Sequence, residues 1–405
     1  MATTVTKVID PDMGTGYDYD SLYDWEAAQQ GDLTGARDEI AVAKCRCTGG
    51  TADTTEVSID GWTISTTQFV KIWTDTAESY RHSGKWETGN KYRLIPNVDE
   101  AFALDINESY TQIIGLMVGL TSNGSRTSYL KGIRFRNAVT GIVSQCIVKG
   151  KTGIDNSVGI HVLYDTNTGP FYVVNNIVFD IPGTGSYGIL TENGTTNQAA
   201  FIYNNTVVDC TSGIGNSRYQ QQTLKNNIVK GATSSPFYGD WLLASNNATN
   251  VADSQIAAAT ETGTRESQTF TFVNEATDDF HLASNDAGAL GYGLNLYNDA
   301  DYPFQTDIDG QDRGGAAATW DIGADEYVSS TAIEQKNFRF RNDDDSEPAA
   351  TWKANQDTNI TLAADTAFRL RFLLKATGNP DSIDAQAEAR VKPSGGAFGA
   401  WGKIN

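Results

Sequence analysis

The feature that most constrains the fold is a phrase that recurs in the middle of the chain. It reads Val-Val-Asn-Asn-Ile-Val from Val173, Ile-Tyr-Asn-Asn-Thr-Val from Ile202 and Leu-Lys-Asn-Asn-Ile-Val from Leu224. The first asparagines of these pairs are 29 and then 22 residues apart, a period typical of solenoids. Alternating β-branched residues and glycine-rich breaks indicate short strands joined by turns. The pattern therefore predicts a right-handed parallel β-helix.

A second phrase repeats in step with the first. It begins at Val158, Tyr187 and Ser212, and each copy continues with Gly-Ile. Gln145-Cys146-Ile147-Val148 lies thirty residues before the first asparagine phrase, so the coil begins before the asparagines do. Because stacked strands lie about 4.8 Å apart, equivalent buried asparagines can bond to one another. We therefore interpret the asparagines as a structural ladder and not as a ligand site.

Charge and composition exclude several classes of function. The chain has 405 residues, 39% of them hydrophobic, and shows neither an apolar run long enough for a membrane span nor a signal sequence at its start. Its net charge of −20 argues against binding to nucleic acid or to anionic lipid. Residues 1–333 carry twenty basic and forty acidic residues, whereas residues 334–405 carry ten of each, which indicates a domain boundary.

The chain is expected to contain three parts. Residues 1–100 would form an N-terminal cap and the first strands, residues 101–330 the β-helix with a closing module, and residues 331–405 a small β-sandwich. Within the first part, Ser21 is predicted to N-cap a short helix that ends at Gly31 and covers the open end of the coil. The overall fold class is thus all-β.

The last part of the predicted coil resembles a known module. The sequence reads Asp-Phe-His-Leu at 279–282, Asp-Ile-Asp-Gly-Gln-Asp-Arg at 307–313 and Gly-Ala-Asp-Glu-Tyr at 323–327. Segments of these three kinds, in this order, resemble the module that closes many right-handed β-helix proteins of bacteria and phages. The resemblance implies the fold and says little about activity.

The C-terminal residues resemble a small β module of tailed-phage structural proteins. The residues that carry this resemblance are Phe338–Glu347, Ala350–Trp352, Asp357–Ile360 and Phe368–Phe372. The family usually has glycine where this chain has Asp345. Asp18–Ala27 also looks like the start of phage β-helical proteins. The resemblance implies a virion protein that is made in the host cytoplasm and displayed on the particle exterior.

Asp180 and Asp209 are the candidate catalytic residues if the protein is a glycosidase. Each follows the second asparagine of its phrase by four residues, so the two are expected on adjacent rungs, near the roughly 5–5.5 Å spacing of a retaining carboxylate pair. The next rung has Gly231 at the equivalent place. Acids at strand ends are commonly solvated turn residues, and we expect a turn role here.

The sequence predicts no metal site and no cofactor. Asp307, Asp309 and Asp312 lack the ligand spacing of an EF-type calcium loop and are interpreted as a turn, in which Arg313 could pair with a carboxylate. The three histidines are scattered, and the four cysteines are expected to be buried thiols. An N-terminal aromatic group is expected to be buried, with stacking on sugars as the alternative; its members are Trp62, Trp73, Tyr80, Trp86 and Tyr92.

These observations predict a non-catalytic structural protein, either a capsid decoration protein or part of a spike. Its expected partners are other virion proteins, the major capsid or tail proteins, with host glycans as further candidates, and phage spikes of this kind imply a homotrimer. The alternative is a tail-spike adhesin that binds or cleaves host surface polysaccharide. A bacterial surface adhesin is a third possibility.

Overall fold

A computed structural model gives the structure of the protein. It describes residues 2–96, 102–121, 128–136, 138, 140–164, 169–193, 199–217, 221–328, 332–342, 351–358, 360–361, 368–377, 388–389 and 402–403. By internal packing, the chain divides into two compact units, Met1–Tyr327 and Val328–Asn405.

The first unit is a right-handed parallel β-helix with three sheets, as the repeats predicted. Sheet 1 has ten parallel strands: Thr3–Ile9 (β1), Glu39–Cys45 (β2), Val70–Trp73 (β4), Thr111–Ile114 (β7), Gly141–Ser144 (β10), Phe171–Val174 (β13), Ala200–Tyr203 (β16), Gln222–Lys225 (β19), Asp240–Ser245 (β22) and Ala257–Thr262 (β24).

Sheets 2 and 3 have seven parallel strands each. Sheet 2 contains Arg93–Leu94 (β5), Met117–Gly119 (β8), Ile147–Lys149 (β11), Ile177–Ile181 (β14), Thr206–Cys210 (β17), Ile228–Lys230 (β20) and Ala248–Thr249 (β23). Sheet 3 contains Val57–Ile59 (β3), Phe102–Ile106 (β6), Lys131–Arg136 (β9), Val158–Tyr164 (β12), Tyr187–Asn193 (β15), Ser212–Ser217 (β18) and Ser235–Tyr238 (β21).

The strand register confirms the stacking that both repeated phrases predicted. Ile147 pairs with Ile177, and Ile177 in turn pairs with Thr206, so the asparagine phrases stack rung upon rung in sheet 2. Val158 pairs with Tyr187 and Tyr187 with Ser212, so the second phrase stacks in sheet 3. Each asparagine pair forms the short turn from sheet 1 to sheet 2. One full rung therefore consists of a strand from each sheet.

A helix at the start of the chain packs against the first rungs. Leu22–Gln29 (α1) begins after Ser21, whose hydroxyl accepts a hydrogen bond from the Asp24 backbone N–H, as predicted. Its C-cap is Gln30, one residue before the expected Gly31. Leu22 and Trp25 are buried in the interior core of the coil, and Trp25 stacks on Trp62. The apolar face of α1 thus shields core residues that would otherwise meet water.

The closing module covers the outside of the coil. Phe272–Asn274 (β25) and Asp279–Leu282 (β26) form an antiparallel pair linked by a short 3-10 helix, Glu275–Thr277. Phe272, Phe280 and Ile322 pack on outward residues of sheet 2, among them Ile177 and Ile228. Sheet 2 is therefore buried on both faces, which explains why its strands read as consecutive apolar residues and not as an alternation.

In the second unit, the described residues include an antiparallel hairpin. Ala332–Asn342 (β27) pairs with Phe368–Thr377 (β28), and Glu388–Ala389 (β29) pairs with Gly402–Lys403 (β30). Phe338 lies opposite Phe372 in this hairpin. The predicted sandwich includes many residues outside the described ranges and stays a prediction, as does the division at residue 100. No helix among the described residues is long and apolar enough to cross a membrane.

Candidate functional site

The repeated asparagines divide into an inner and an outer set. The inner set is the second asparagine of each pair, and its members bond in series. Asn176 donates to Oδ1 of Asn205 through both its backbone N–H and its side-chain amide, each at 3.0 Å. Asn205 donates to Asn227 in the same way, and Asn227 donates to Asn247. This is the predicted ladder, and it extends by one pair beyond the three phrases of the sequence.

The outer set holds the closing module on the coil. Asn175, Asn204 and Asn226 have φ values of 54°, 51° and 57°, the left-handed region that asparagine tolerates better than most residues. Asn204 donates to the Gly323 carbonyl at 3.1 Å, and Asn226 exchanges two hydrogen bonds with the backbone of Leu294. These side chains were expected in the interior ladder, and Asn226 does donate to Oδ1 of Asn204 on the adjacent rung at 3.1 Å. The set also forms the seam between the coil and the module.

Arg313 is buried in this seam. Its Nη1 donates to Glu326 at 2.9 Å, and its Nη2 donates to the carbonyls of Gly323 and Ala324 at 2.9 and 2.7 Å and to Oδ1 of Asn175 at 3.2 Å. The sequence suggested an aspartate of its own turn as its partner. The structure pairs it with Glu326 because the turn places its guanidinium between the coil and the 323–327 segment.

Asp180 and Asp209 lie at equivalent positions of adjacent rungs, as their register predicted. Their strand neighbours pair, Phe179 with Val208 and Ile181 with Cys210. Both have left-handed backbones, with φ values of 60° and 51°, at the bend from sheet 2 to sheet 3. A Cβ added at Gly231 on the next rung would lie 2.1 Å from Oδ1 of Asp209. The two carboxylates therefore form a short column. The column ends at the next rung, where Gly231 has no side chain and leaves room for the Asp209 carboxylate.

Opposite charges flank this column. Lys149 forms an ion pair with Asp278, and Lys230 forms one with Glu275. Burial raises the pKa of Asp180, and the negative charges of Asp278 and Asp209 raise it further against the opposing Lys149. Burial and Glu275 likewise raise the pKa of Asp209 against Lys230. Two carboxyl groups with raised pKa values on adjacent rungs can in principle donate and accept protons.

A cleft of about 200 Å³ lies beside Asp180. Its lining includes Trp86, Ile95, Leu120, Lys149 and Gly150. A Cβ added at Gly150 would lie 2.2 Å from the Asp180 backbone carbonyl oxygen, so the cleft reaches the backbone of Asp180. An indole ring and ammonium groups are suited to the apolar face and the hydroxyl or carboxylate groups of a sugar.

Two of the five N-terminal aromatic residues are buried, as expected, and the other three are buried only in part. Trp62 and Tyr92 are buried, and Trp73, Tyr80 and Trp86 are partly buried. The Trp86 ring packs edge-on against Phe179, 6.4 Å between centroids. The four cysteines are free and buried, which confirms their interpretation as buried thiols.

A second cluster of ionisable groups lies within the closing module. Side-chain ligand atoms of His281, Asp309 and Asp325 lie within 4.8 Å of one another. Asp307 makes the turn beside them, because its two oxygens accept from the backbone N–H groups of Asp309, Gln311 and Glu326. Asp312 lies apart and caps its own turn at Gly314. The aspartates of this segment thus form a turn, as predicted, but one of them also faces a histidine.

Sequence reasoning missed this cluster and the fourth asparagine pair. The pair Asn246-Asn247 follows Asn226 by 20 residues and could have been found by extending the period. The histidine cluster had no comparable signal, because its members are 16 to 44 residues apart and share no repeat.

Comparison with known proteins finds a structural similarity of low score. No family model and no curated protein matches the chain. A solved structure of the pectin methylesterase from Aspergillus niger, in deglycosylated form, is similar to it with a TM-score of 0.34 and 10% identity, over 69% of this chain and 96% of that chain. A likeness at this level carries no argument.

Proposed function

We propose that the protein is a non-catalytic structural component on the exterior of a tailed-phage particle, as a capsid decoration protein or as part of a spike. The observation that carries the proposal is the set of partners to which the repeated polar residues bond. The inner asparagines bond to one another, and the outer asparagines together with Arg313 hold the closing module on the coil. These residues stiffen a rod and do not surround a substrate.

The phage context rests on the sequence resemblances at both ends of the chain. The acidic first unit and the charge-balanced C-terminal residues suit an exposed body and a docking element, respectively. We assign docking or oligomerisation to residues 331–405, with the major capsid protein or a tail protein as partner and a homotrimer as the assembly to test.

The experiment that tests this proposal is localisation on the particle. An electron-microscopy map of the phage particle whose genome encodes this chain should contain density that fits the β-helix, on the capsid lattice or at the tail. A virion that lacks the chain altogether would overturn the proposal. Size measurement by light scattering on the purified protein distinguishes a trimer from a monomer.

The second candidate function is binding or cleavage of host surface polysaccharide. The specific observation that favours it is the Asp180 and Asp209 column beside the cleft that contains Trp86. Parallel neighbouring strands lie about 4.8 Å apart, near the spacing of a retaining glycosidase pair. The ion pairs of Lys149 and Lys230 with the module occupy the flanks of this column, and we rank cleavage below the structural role.

Incubation with host polysaccharide separates the two candidates. The structural role predicts that no new reducing ends appear with the wild-type protein. If cleavage is seen and is lost in Asp180→Asn and Asp209→Asn but kept in the exposed control Asp253→Asn, the non-catalytic proposal fails. Binding without cleavage that weakens in Trp86→Ala would support an adhesin instead.

A further inference from the structure

The three motif segments of the closing module meet at one point. His281 comes from the Asp-Phe-His-Leu segment, Asp309 from the Asp-Ile-Asp-Gly segment and Asp325 from the Gly-Ala-Asp-Glu-Tyr segment. Each contributes one side chain to a group whose ligand atoms all lie within 4.8 Å of one another. The proposed structural role of the coil makes no use of this convergence.

The imidazole of His281 is oriented as in many metal sites. Its Nδ1 lies 2.6 Å from Oδ1 of Asp279, which fixes the ring and leaves Nε2 facing Oδ2 of Asp309 at 3.6 Å. A carboxylate behind a histidine is the usual outer support of a metal ligand. Two ligands on a tetrahedral metal with bonds near 2.1 Å are about 3.4 Å apart, so the observed separation needs little adjustment.

Asp309 has an unsatisfied acceptor. Its Oδ2 accepts from the Gln311 side chain at 2.9 Å, whereas its Oδ1 is buried and has no hydrogen-bond partner. A buried carboxylate oxygen without a partner loses its hydration with no compensating bond. A bound cation would supply that missing interaction.

Charged groups of both signs surround the cluster. Asp279, Asp307, Asp309 and Asp325 lie around His281, and the basic groups that face them are Arg81, Lys85 and Arg313. His82 lies nearby, but Gln145 O and Gly84 N–H engage both of its ring nitrogens. It is therefore not available as a ligand.

We propose that His281, Asp309 and Asp325 bind one divalent transition-metal ion, with zinc as the preferred ion. An imidazole with two carboxylates suits zinc or manganese, whereas calcium prefers oxygen ligands alone. Asp325 is buried, and one of its oxygens accepts from the Leu282 backbone N–H at 2.7 Å, so the other remains for the metal. Binding would join the three motif segments of the module to one another.

The test is a titration of the chelator-treated full chain with ZnCl₂, followed by calorimetry and by thermal unfolding. We expect one equivalent to bind and the unfolding temperature to rise. His281→Gln and Asp309→Asn should weaken binding by at least about 100-fold, and the supporting variant Asp279→Asn by about 10- to 100-fold. Asp312→Asn changes an exposed aspartate three residues after Asp309 that lies outside the cluster, and it should bind as the wild type does.

Two results would overturn the proposal. One is the absence of a stoichiometric zinc or manganese site in the wild-type chain. The other is binding that His281→Gln, Asp309→Asn and Asp325→Asn leave unchanged. The wild-type stoichiometry alone can refute the site, so the proposal stays testable even if a variant fails to fold. The test is independent of where the protein lies on a particle.

Discussion

At the scale of single residues, the asparagine pair combines two different roles in adjacent positions. The first residue adopts a left-handed backbone and presents its amide to the closing module, and the second bonds to its equivalent on the adjacent rung inside the coil. Asparagine suits both positions because its short amide both donates and accepts, and because it tolerates positive φ. The repeated phrase therefore predicts both a turn and a hydrogen bond between adjacent rungs.

The inner position should matter more for stability than the outer one. Asn205→Ala removes a buried amide that bonds to Asn176, Asn227 and the Val173 carbonyl, so we expect the free energy of unfolding to fall by about 3 kcal/mol. Asn246→Gly keeps the positive φ and removes two bonds, one donated to the Tyr292 carbonyl and one accepted from the Ser245 hydroxyl, which keeps Thr262 as a partner. This change should cost about 1 kcal/mol. Urea unfolding of both variants measures the difference. Equal losses of unfolding free energy would contradict the prediction that the inner position stabilises the coil more than the outer one.

Glu26 should make stability depend on pH. Burial raises its pKa to about 7, against the hydrogen bonds that it accepts from Asp60 N–H and Trp62 Nε1. Because the folded state holds this proton more tightly than the unfolded state, the stabilisation is complete below about pH 4.5 and is lost as the pH rises to about 7. The loss is at most about 3 kcal/mol. Glu26→Gln should remove this part of the slope in unfolding measured between pH 4 and 8; identical slopes would refute it.

At the scale of elements, glycines determine how closely the rungs stack. Gly159, Gly188 and Gly213 occupy equivalent places near the start of the sheet 3 strands. A Cβ added at Gly188 would lie 2.4 Å from Val207 Cγ1 and 3.0 Å from the Gly213 carbonyl oxygen. The second sequence phrase therefore marks a point where the backbone of one rung meets a side chain of the adjacent sheet.

Gly188→Ala should destabilise the coil through overpacking alone. The φ of Gly188 is not in the left-handed region, so alanine meets no backbone penalty there, and the expected loss is about 1–3 kcal/mol. Gly315→Ala, where nothing lies within 4 Å of the added Cβ, is the matched control and should change stability by less than about 0.5 kcal/mol. Denaturant unfolding of the pair provides the measurement. A Gly188→Ala protein as stable as the control would show that the rungs can separate easily.

At the scale of the first unit, one long segment packs back onto the coil that precedes it. Residues 270–327 cover the outer face of sheet 2 and bond to outer asparagines that lie about 70 to 140 residues earlier in the chain. The result is a second apolar layer outside the solenoid core. Repeat proteins depend mainly on contacts between neighbours, and this seam adds contacts that are distant in sequence.

Arg313→Lys should loosen this seam. Lysine cannot bond in a fork to Glu326, Asn175 and the carbonyls of Gly323 and Ala324, and a buried charge would lose its partner, so we expect a loss of about 3 kcal/mol or more. Limited proteolysis should cut within residues 291–319 faster than in the wild type, while the coil strands resist. Arg37→Lys, in a partly exposed pair with Glu39, is the control. An unchanged cleavage rate would contradict the role of Arg313.

The sequence by itself determined the repeating part of the protein. The period of the phrases gave the strand register, the inner ladder and the adjacent placement of Asp180 and Asp209, because each rung repeats the local geometry of the one before. Ser21 likewise predicted the start of the first helix. These features depend on residues close in sequence or related by the repeat, and both kinds of relation can be read along a chain.

Only the tertiary structure decided where the non-repeating residues meet. The Arg313 contact with Asn175 spans 138 residues, and the meeting of His281, Asp309 and Asp325 follows from how three irregular segments fold onto sheet 2. No period relates these segments to the coil, so their partners could not be inferred from spacing. The apolar outer face of sheet 2 provided the packing energy that brought them there, and the outer asparagines provided their alignment.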